Sequence, residues 1–152
     1  MVTFRPMTED EFAAFKAAMA VDYEQDVASG MGLPVEDVRE RAQEQLESLM
    51  KDGLGSQEHL YWKIVAPEDG VVGDLWVMLQ PRRQSFIYYI GIDGGQRGKG
   101  YGEQAMRHLE GEMRSRGATH IALNVFGDNA VARRLYERVG YQAAAIYMNK
   151  AI

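Results

Sequence analysis

Tyr89-Ile90-Gly91-Ile92-Asp93-Gly94-Gly95-Gln96-Arg97-Gly98-Lys99-Gly100-Tyr101-Gly102 holds six of the chain's 16 glycines. Upstream, Ser85 to Ile92 is rich in branched and aromatic residues, the composition of a strand. Downstream, Gly102, Ala105, Met106, Leu109 and Met113 recur at helical spacing until Gly117. A strand thus feeds a glycine-rich turn that opens a helix. The first N–H groups of a helix have no internal partner, and the helix dipole favours negative charge there. Glycines let the backbone approach an anion and form a nest around it, while Arg97 and Lys99 add positive charge. Two nucleotide fingerprints fail. The turn reads G-x-G-x-G rather than G-x-G-x-x-G, with too little chain after it for a doubly wound dinucleotide fold. Lys99 is followed by Gly100, where a phosphate-binding loop of Walker type needs Ser or Thr. From these residues alone two readings stay open: an anion site, or a tight turn whose glycines serve helix–strand packing.

Working outward, Thr3 to Pro6 reads as a first strand. Thr8 and Glu11 form a capping box, and Met7 is spaced to staple onto Phe12. Phe12, Phe15, Met19 and Tyr23 continue that helix until the glycines of Ser29 to Leu33. Pro34 starts a second helix with an apolar face of Val35, Val38, Ala42, Leu46, Leu49 and Met50, ended by Gly53 to Gln57. His59 to Ala66 and Val71 to Gln80 read as strands joined at Pro67-Glu68-Asp69-Gly70. Beyond the glycine-rich turn and its helix come a strand over Thr119 to Phe126, a helix over Asn129 to Val139 closed by Gly140, and a last strand over Tyr141 to Lys150. Three consecutive strands suit an antiparallel meander, and the strand–helix–strand unit from Ile87 to Phe126 suits a parallel crossover. The expected fold is α/β (α+β): one domain over residues 1–152, with a mixed central sheet and helices on both faces.

Composition limits the chemistry. The chain has 152 residues, 46% of them hydrophobic, and a net charge of −5 without a basic tail. That argues against a nucleic-acid partner held through phosphates. There is no cysteine, so thiolate nucleophiles and thiolate metal sites are excluded. His59, His108 and His120 show no metal-ligand spacing, and no metal is expected. No apolar run approaches the length of a membrane span, and Met1-Val2-Thr3-Phe4-Arg5 lacks a signal-peptide core. The expected location is cytoplasmic.

Arg97-x-x-Gly100-x-Gly102 after a strand resembles the Gln/Arg-x-x-Gly-x-Gly/Ala signature of the GNAT superfamily of N-acetyltransferases. Leu123-Asn124-Val125, then Asn129, Ala132, Leu135-Tyr136 and Gly140-Tyr141, resembles that superfamily's second block, in the expected order and separation. The resemblance is strongest over residues 86–148, and the earlier element order fits it. It implies an N-acyltransferase using acetyl-CoA as donor, with attack by a primary amine in a ternary complex. It implies that Ile90 and Ile92 lie on a splayed strand whose backbone pairs with the pantetheine arm. It assigns Arg97, Gly98, Lys99, Gly100, Tyr101, Gly102 and Glu103 to the pyrophosphate turn. Asn129 and Ala132 match the cofactor contacts of the following helix. Tyr136 matches the tyrosine that protonates the departing thiolate. Spacing alone makes Tyr136 a core aromatic and Asn129 a helix cap.

Two departures stand out. Many relatives place a general-base glutamate on the strand before the turn or on the next one. Here those places hold Tyr88, Tyr89, Gly91 and Asn124, so the base is unassigned. Only twelve residues follow Gly140, room for one strand where many relatives have two; the last sheet edge is then short or shared with another subunit, and a homodimer is expected. Asp22, Glu24 and Asp26 cluster where the first helix runs out, and Glu24 is the candidate contact for a cationic amine, against a plain solvated helix end. Tyr88 is the candidate wall of the acceptor pocket. The acceptor is a small amine, an aminoglycoside-like antibiotic, an amino acid or a protein amine. The alternative to an enzyme is a CoA-binding or sensing domain without catalysis, against which the retained Tyr136 argues.

Overall fold

The computed structural model describes residues 1–80 and 84–152. The elements, in chain order, are β1 (Thr3–Pro6), α1 (Glu9–Met31), α2 (Val35–Met50), β2 (His59–Ala66), β3 (Gly70–Leu79), β4 (Gln84–Ile92), α3 (Tyr101–Ser115), β5 (His120–Leu123) and α4 (Ala130–Arg138), with 3-10 turns at Gly53–Gly55 and Gly94–Gln96. The chain is α/β, and its described residues form a five-stranded mixed sheet and four α-helices. It divides into two compact units: Met1–Met7 with Leu54–Gln142, and Thr8–Gly53 with Ala143–Ile152.

The first unit is built on the sheet, whose strand order is β1-β2-β3-β4-β5. The first four strands pair antiparallel, and β4 and β5 pair parallel across the α3 crossover. Alternation sends Trp62, Ile64, Leu75, Val77 and Ile87 into one core with Ala105, Met106, Leu109 and Met113 of α3. Tyr136, Val139 and Tyr141 pack against that core half-buried. Two register shifts bend the sheet, one at Ile64/Val65 and one at Trp76/Val77. At the second, Trp76 pairs with Tyr89 and Val77 with Ile87, so Tyr88 is an extra residue on β4. A bulge of this kind turns its strand and increases its twist.

The second unit contains the hairpin of α1 and α2. The Thr8 hydroxyl accepts from the Glu11 N–H, and the Glu11 carboxylate accepts from the Thr8 N–H at 2.9 Å, the expected capping box. The helix does not stop at Ser29: it continues through Gly30 to Met31, and Gly32 ends it in a left-handed conformation. Gly30 only weakens helical propensity, whereas Gly32 supplies the positive φ that a C-terminal cap requires. Lys16 pairs with Glu47 at 2.9 Å and Glu24 with Arg39 at 3.3 Å, so the two helices run antiparallel. Val38, Ala42, Leu46 and Met50 form the buried stripe of α2.

Two expectations near the C-terminus are corrected. The strand after Gly117 is shorter than Thr119 to Phe126: it covers only His120–Leu123. Tyr141 to Lys150 is not a strand, and residues 141–152 carry no regular secondary structure. Strand-forming side chains do not make a strand without a neighbour to complete its ladder.

Candidate active site

The site begins where β4 and β5 part. Their parallel ladder runs from Gln84↔His120 to Ile87↔Leu123 and ends there. Beyond it, Tyr89 to Ile92 stays paired to β3 on one side, while among the described residues no strand pairs with its other side. The break coincides with the Tyr88 bulge, which swings β4 out of register. Ile90 and Ile92 thus lie on a splayed strand with an open backbone edge.

That strand runs straight into the glycine-rich turn. The Asp93 N–H donates to the Val72 carbonyl at 2.8 Å, and the Gln96 N–H to the Asp93 carbonyl at 2.8 Å. Gly98 and Gly100 both adopt left-handed conformations, at φ 78° and 81°, which only glycine takes without strain. Gly100 is the N-cap of α3 and, having no side chain, makes no capping hydrogen bond to the helix's first N–H groups. Gly98 to Glu103 thus put backbone amides at the start of α3, where a helix favours negative charge. The last glycine has a different purpose: a Cβ on Gly102 would lie 3.3 Å from Leu135 and 3.9 Å from Ile92, so it lets α3 close on α4 and β4. The packing reading of the turn has its geometry at Gly102.

The charged residues of the turn are engaged. Arg97 Nε donates to the Ile92 carbonyl at 3.1 Å, tying the turn to the end of β4. Lys99 Nζ reaches Asp69 at 3.0 Å and Gln96 at 2.8 Å. Asp69, from the β2–β3 turn, also accepts from the Tyr101 hydroxyl at 2.5 Å. These hydrogen bonds, Tyr101 first and Lys99 second, lower the Asp69 pKa; the reciprocal effect pushes Tyr101 up to about 12. Glu103 would repel an anion at the helix start, but Arg138 at 3.0 Å and Arg107 at 3.6 Å neutralise its carboxylate.

Asn129 is the cap of α4, its Oδ1 accepting from the Ala132 N–H at 3.2 Å. Its amide NH2 remains able to donate to a ligand. About two helical turns on, Tyr136 is half-buried, and desolvation raises its hydroxyl pKa above the ordinary value. Its ring lies 6.0 Å from that of Tyr141. The Tyr141 hydroxyl is buried and has no hydrogen-bond partner among the described residues.

The acceptor-side candidates fare differently. Tyr88 stacks on Trp76 at 4.6 Å and lies 5.7 Å from His59, whose Nδ1 accepts from Trp76 Nε1 at 2.9 Å. Glu24 lies in the helical hairpin, and both its oxygens are taken, by Arg39 at 3.3 Å and Gln43 at 2.9 Å. That is a brace between two helices, a geometry visible only once α1 and α2 lie side by side.

Three features went unseen in the sequence. One is the bulge at Tyr88. The second is Asp69, which braces the turn from 30 residues away. The third is a pair of close approaches: a Cβ on Gly73 would fall on the Gly91 carbonyl oxygen, and one on Gly91 would fall on the Tyr89 hydroxyl. The carboxylate that register puts opposite Gly91 is Asp74, and Lys63 holds it in an ion pair at 2.6 Å. Among the described residues no cluster of His, Asp and Glu is arranged to hold a metal ion, and no helix is long and apolar enough to cross a membrane.

The comparisons agree with this geometry. A family model described as the acetyltransferase (GNAT) family matches residues 21–141. The chain is 33% identical to the N-acetyltransferase YycN of Bacillus subtilis (strain 168), over 99% of both chains. It is 32% identical to the N-acetyltransferase YdgE of the same organism, over 99% of this chain and 98% of that one. The crystal structure of the B. subtilis acetyltransferase YycN superposes with a TM-score of 0.91 at 30% identity, covering 100% of this chain and 99% of that one. With a splayed β4, a glycine-rich turn at the start of α3 and full-length likeness to two N-acetyltransferases, the chain belongs to the acetyltransferase (GNAT) family and is an acyltransferase.

Proposed function

We propose that this chain moves an acetyl group from acetyl-CoA to a primary amine of a small molecule or protein, by direct attack in a ternary complex in the cytoplasm. The observation that carries this reading is the parting of β4 from β5 after Ile87, followed directly by the left-handed Gly98 and Gly100 at the start of α3. An open strand edge suits an amide-bearing arm, and an open cradle of amides suits a pyrophosphate.

Acetyl-CoA as donor supplies the acyl thioester. The chain's own groups bind, orient and transfer a proton. The amides of Gly98 to Glu103 hold the pyrophosphate, with Arg97 fixing the turn and Lys99 adding positive charge. The backbone of Ile90 and Ile92 aligns the arm, and Asn129 and Ala132 border it from α4. Backbone amides near Ile92 polarise the reacting carbonyl as an oxyanion hole does. Much of the acceleration comes from holding amine and carbonyl in line. Tyr136 gives its proton to the leaving sulfur, and its raised pKa keeps that proton in place. Tyr88 walls the acceptor side. Glu24 acts on the amine only by exchanging its bond to Arg39 or Gln43. With Asp74 paired to Lys63, the amine's proton leaves through water.

Purified protein given acetyl-CoA and a panel of primary amines should release thiol in an amine-dependent manner. Acetyl-CoA binding by calorimetry, without thiol release for any amine, would instead favour a sensing domain and overturn the transfer reading.

A further inference from the structure

The open edge of β4 depends on where its extra residue sits. The β3–β4 ladder pairs Trp76 with Tyr89 and Val77 with Ile87, which leaves Tyr88 over. Ser85 to Ile92 has no proline, and its one glycine, Gly91, lies three residues beyond Tyr88. The backbone therefore does not set the position of the bulge. A bulge moved by one residue would turn the side chain between the two positions to the other face. Side chains have to hold it.

They do so around Trp76. Leu75 and Val77 both enter the core with α3, so Trp76 between them points to the other face of the sheet. Its indole is buried, with the Tyr61 ring at 5.4 Å and the Tyr88 ring stacked at 4.6 Å, planes 22° apart. Phe86 meets Tyr88 edge-on at 4.9 Å. The indole Nε1–H donates to His59 Nδ1 at 2.9 Å, and the His59 backbone N–H donates to Ser56 Oγ at 3.0 Å, tying down the start of β2. An indole N–H can only donate, so His59 Nδ1 is unprotonated and the ring proton sits on Nε2. That nitrogen is occupied as an acceptor and is no base for an incoming amine. A buried N–H is costly to leave unpaired, so the bond fixes the rotation of the indole. The indole in turn sets the plane on which Tyr88 stacks.

We propose that His59 and Trp76 are positioning residues for acyl transfer. The hydrogen bond from Nε1 to Nδ1 latches the indole, the indole anchors Tyr88, and the anchored Tyr88 keeps the bulge and the open edge of β4 in place. The effect on rate rests on the acetyl-transfer reading; the latch itself does not. A moved bulge displaces the backbone that aligns the arm and the reacting carbonyl, and a misplacement of about 1 Å costs as much as roughly 10²-fold in rate.

His59→Leu should lower kcat roughly 10-fold or more, with KM for acetyl-CoA changed by less than about twofold, because the glycine-rich turn is untouched. His59→Asn should restore most of the rate, since its carboxamide oxygen can accept from the indole. Trp76→Phe should lose as much as His59→Leu, and the double variant no more than either. An unchanged kcat in His59→Leu, a loss that His59→Asn does not repair, or independent losses in the double variant would overturn the proposal. Amide hydrogen exchange reads the latch without any acceptor. Tyr88 to Ile92 should exchange faster in His59→Leu than in the unmodified chain or in His59→Asn, and equal exchange would sink the latch. An unmodified chain that releases no thiol would sink the transfer reading alone, leaving the exchange arm to decide the latch. Where a variant fails to fold, the nitrogen NMR shift of His59 Nδ1 in the unmodified chain decides: at neutral pH it should be that of an unprotonated ring nitrogen, and a protonated Nδ1 would overturn the proposal.

Discussion

Gly73 and Gly91 are both required by close approach, and what each approaches differs. A side chain at Gly73 meets the backbone carbonyl of Gly91, which cannot move without breaking the β3–β4 ladder. A side chain at Gly91 meets the end of Tyr89, a tyrosine that can rotate away. Gly73→Ala should therefore cost about 1–3 kcal/mol, as overpacking does. A domain of this size loses roughly 2–4 °C in Tm per kcal/mol. Gly91→Ala should lower Tm by less and show itself in activity, because it shifts Tyr89 on the splayed strand. Differential scanning fluorimetry orders the two, and the opposite order would contradict the backbone argument. Tyr136→Phe should lower kcat by roughly 10²-fold or more, the usual contribution of a positioned acid, with little change in KM for acetyl-CoA. An unchanged kcat would return Tyr136 to the role its helical spacing alone suggests, that of a core aromatic.

At the scale of elements, Asn129 caps α4, and substitution can separate that from the cofactor contact proposed for it. Asn129→Ala removes the cap of α4 and should cost about 1 kcal/mol. Asn129→Asp keeps an acceptor for the Ala132 N–H and suits the helix dipole, so Tm should hold. It loses the amide donor and adds charge beside the cofactor path, so KM for acetyl-CoA should rise several-fold. An unchanged KM in steady-state assays would leave Asn129 as a cap alone. In α1, burial first and the charge of Asp22 second raise the pKa of Asp26. The fold thus binds this proton more tightly than the unfolded chain does. Its stabilising effect is complete below the unfolded carboxylate value and is lost as pH rises through the folded one. Asp26→Asn should therefore melt higher than wild type at pH 7, with the advantage fading toward pH 3. A pH series of melting curves reads this directly.

Over the whole molecule, the tyrosines set an alkaline limit. Tyr101, held by Asp69, and Tyr136 and Tyr141, raised mainly by burial, all keep their protons more tightly in the fold. Their contribution is complete below the unfolded tyrosine pKa of about 10 and declines as pH rises past it. Tm should hold to about pH 9.5 and then fall. Tyr141→Phe should soften that fall. It also removes a buried hydroxyl without a partner, so it should leave stability at pH 7 unchanged or raised. A marked loss at pH 7 would mean that the hydroxyl has a partner in solution.

Much of this protein is decided locally and can be read from the chain. Thr8 with Glu11 starts α1 because a capping box uses only four consecutive residues. Gly98 and Gly100 mark the tight turn because only glycine takes that backbone without strain, and the order of strands and helices up to α4 follows from side-chain period. The family follows from two short blocks at a set distance. What needed the fold involves partners remote in sequence. Glu24 reads as an exposed acid, until α2 brings Arg39 and Gln43 to it. Asp69 reads as a turn residue, until β3 and β4 bring the glycine-rich turn beside it. The slot beside Ile90 and Ile92 exists because a bulge at Tyr88 pulls β4 from β5, and a bulge is a mismatch between two strands. Tyr141 to Lys150 has a strand's pattern, yet a strand is completed by its neighbour. Local propensity depends on a few adjacent residues, so the sequence alone determined it; pairing and burial depend on what the rest of the chain brings near, so only the tertiary structure decided them.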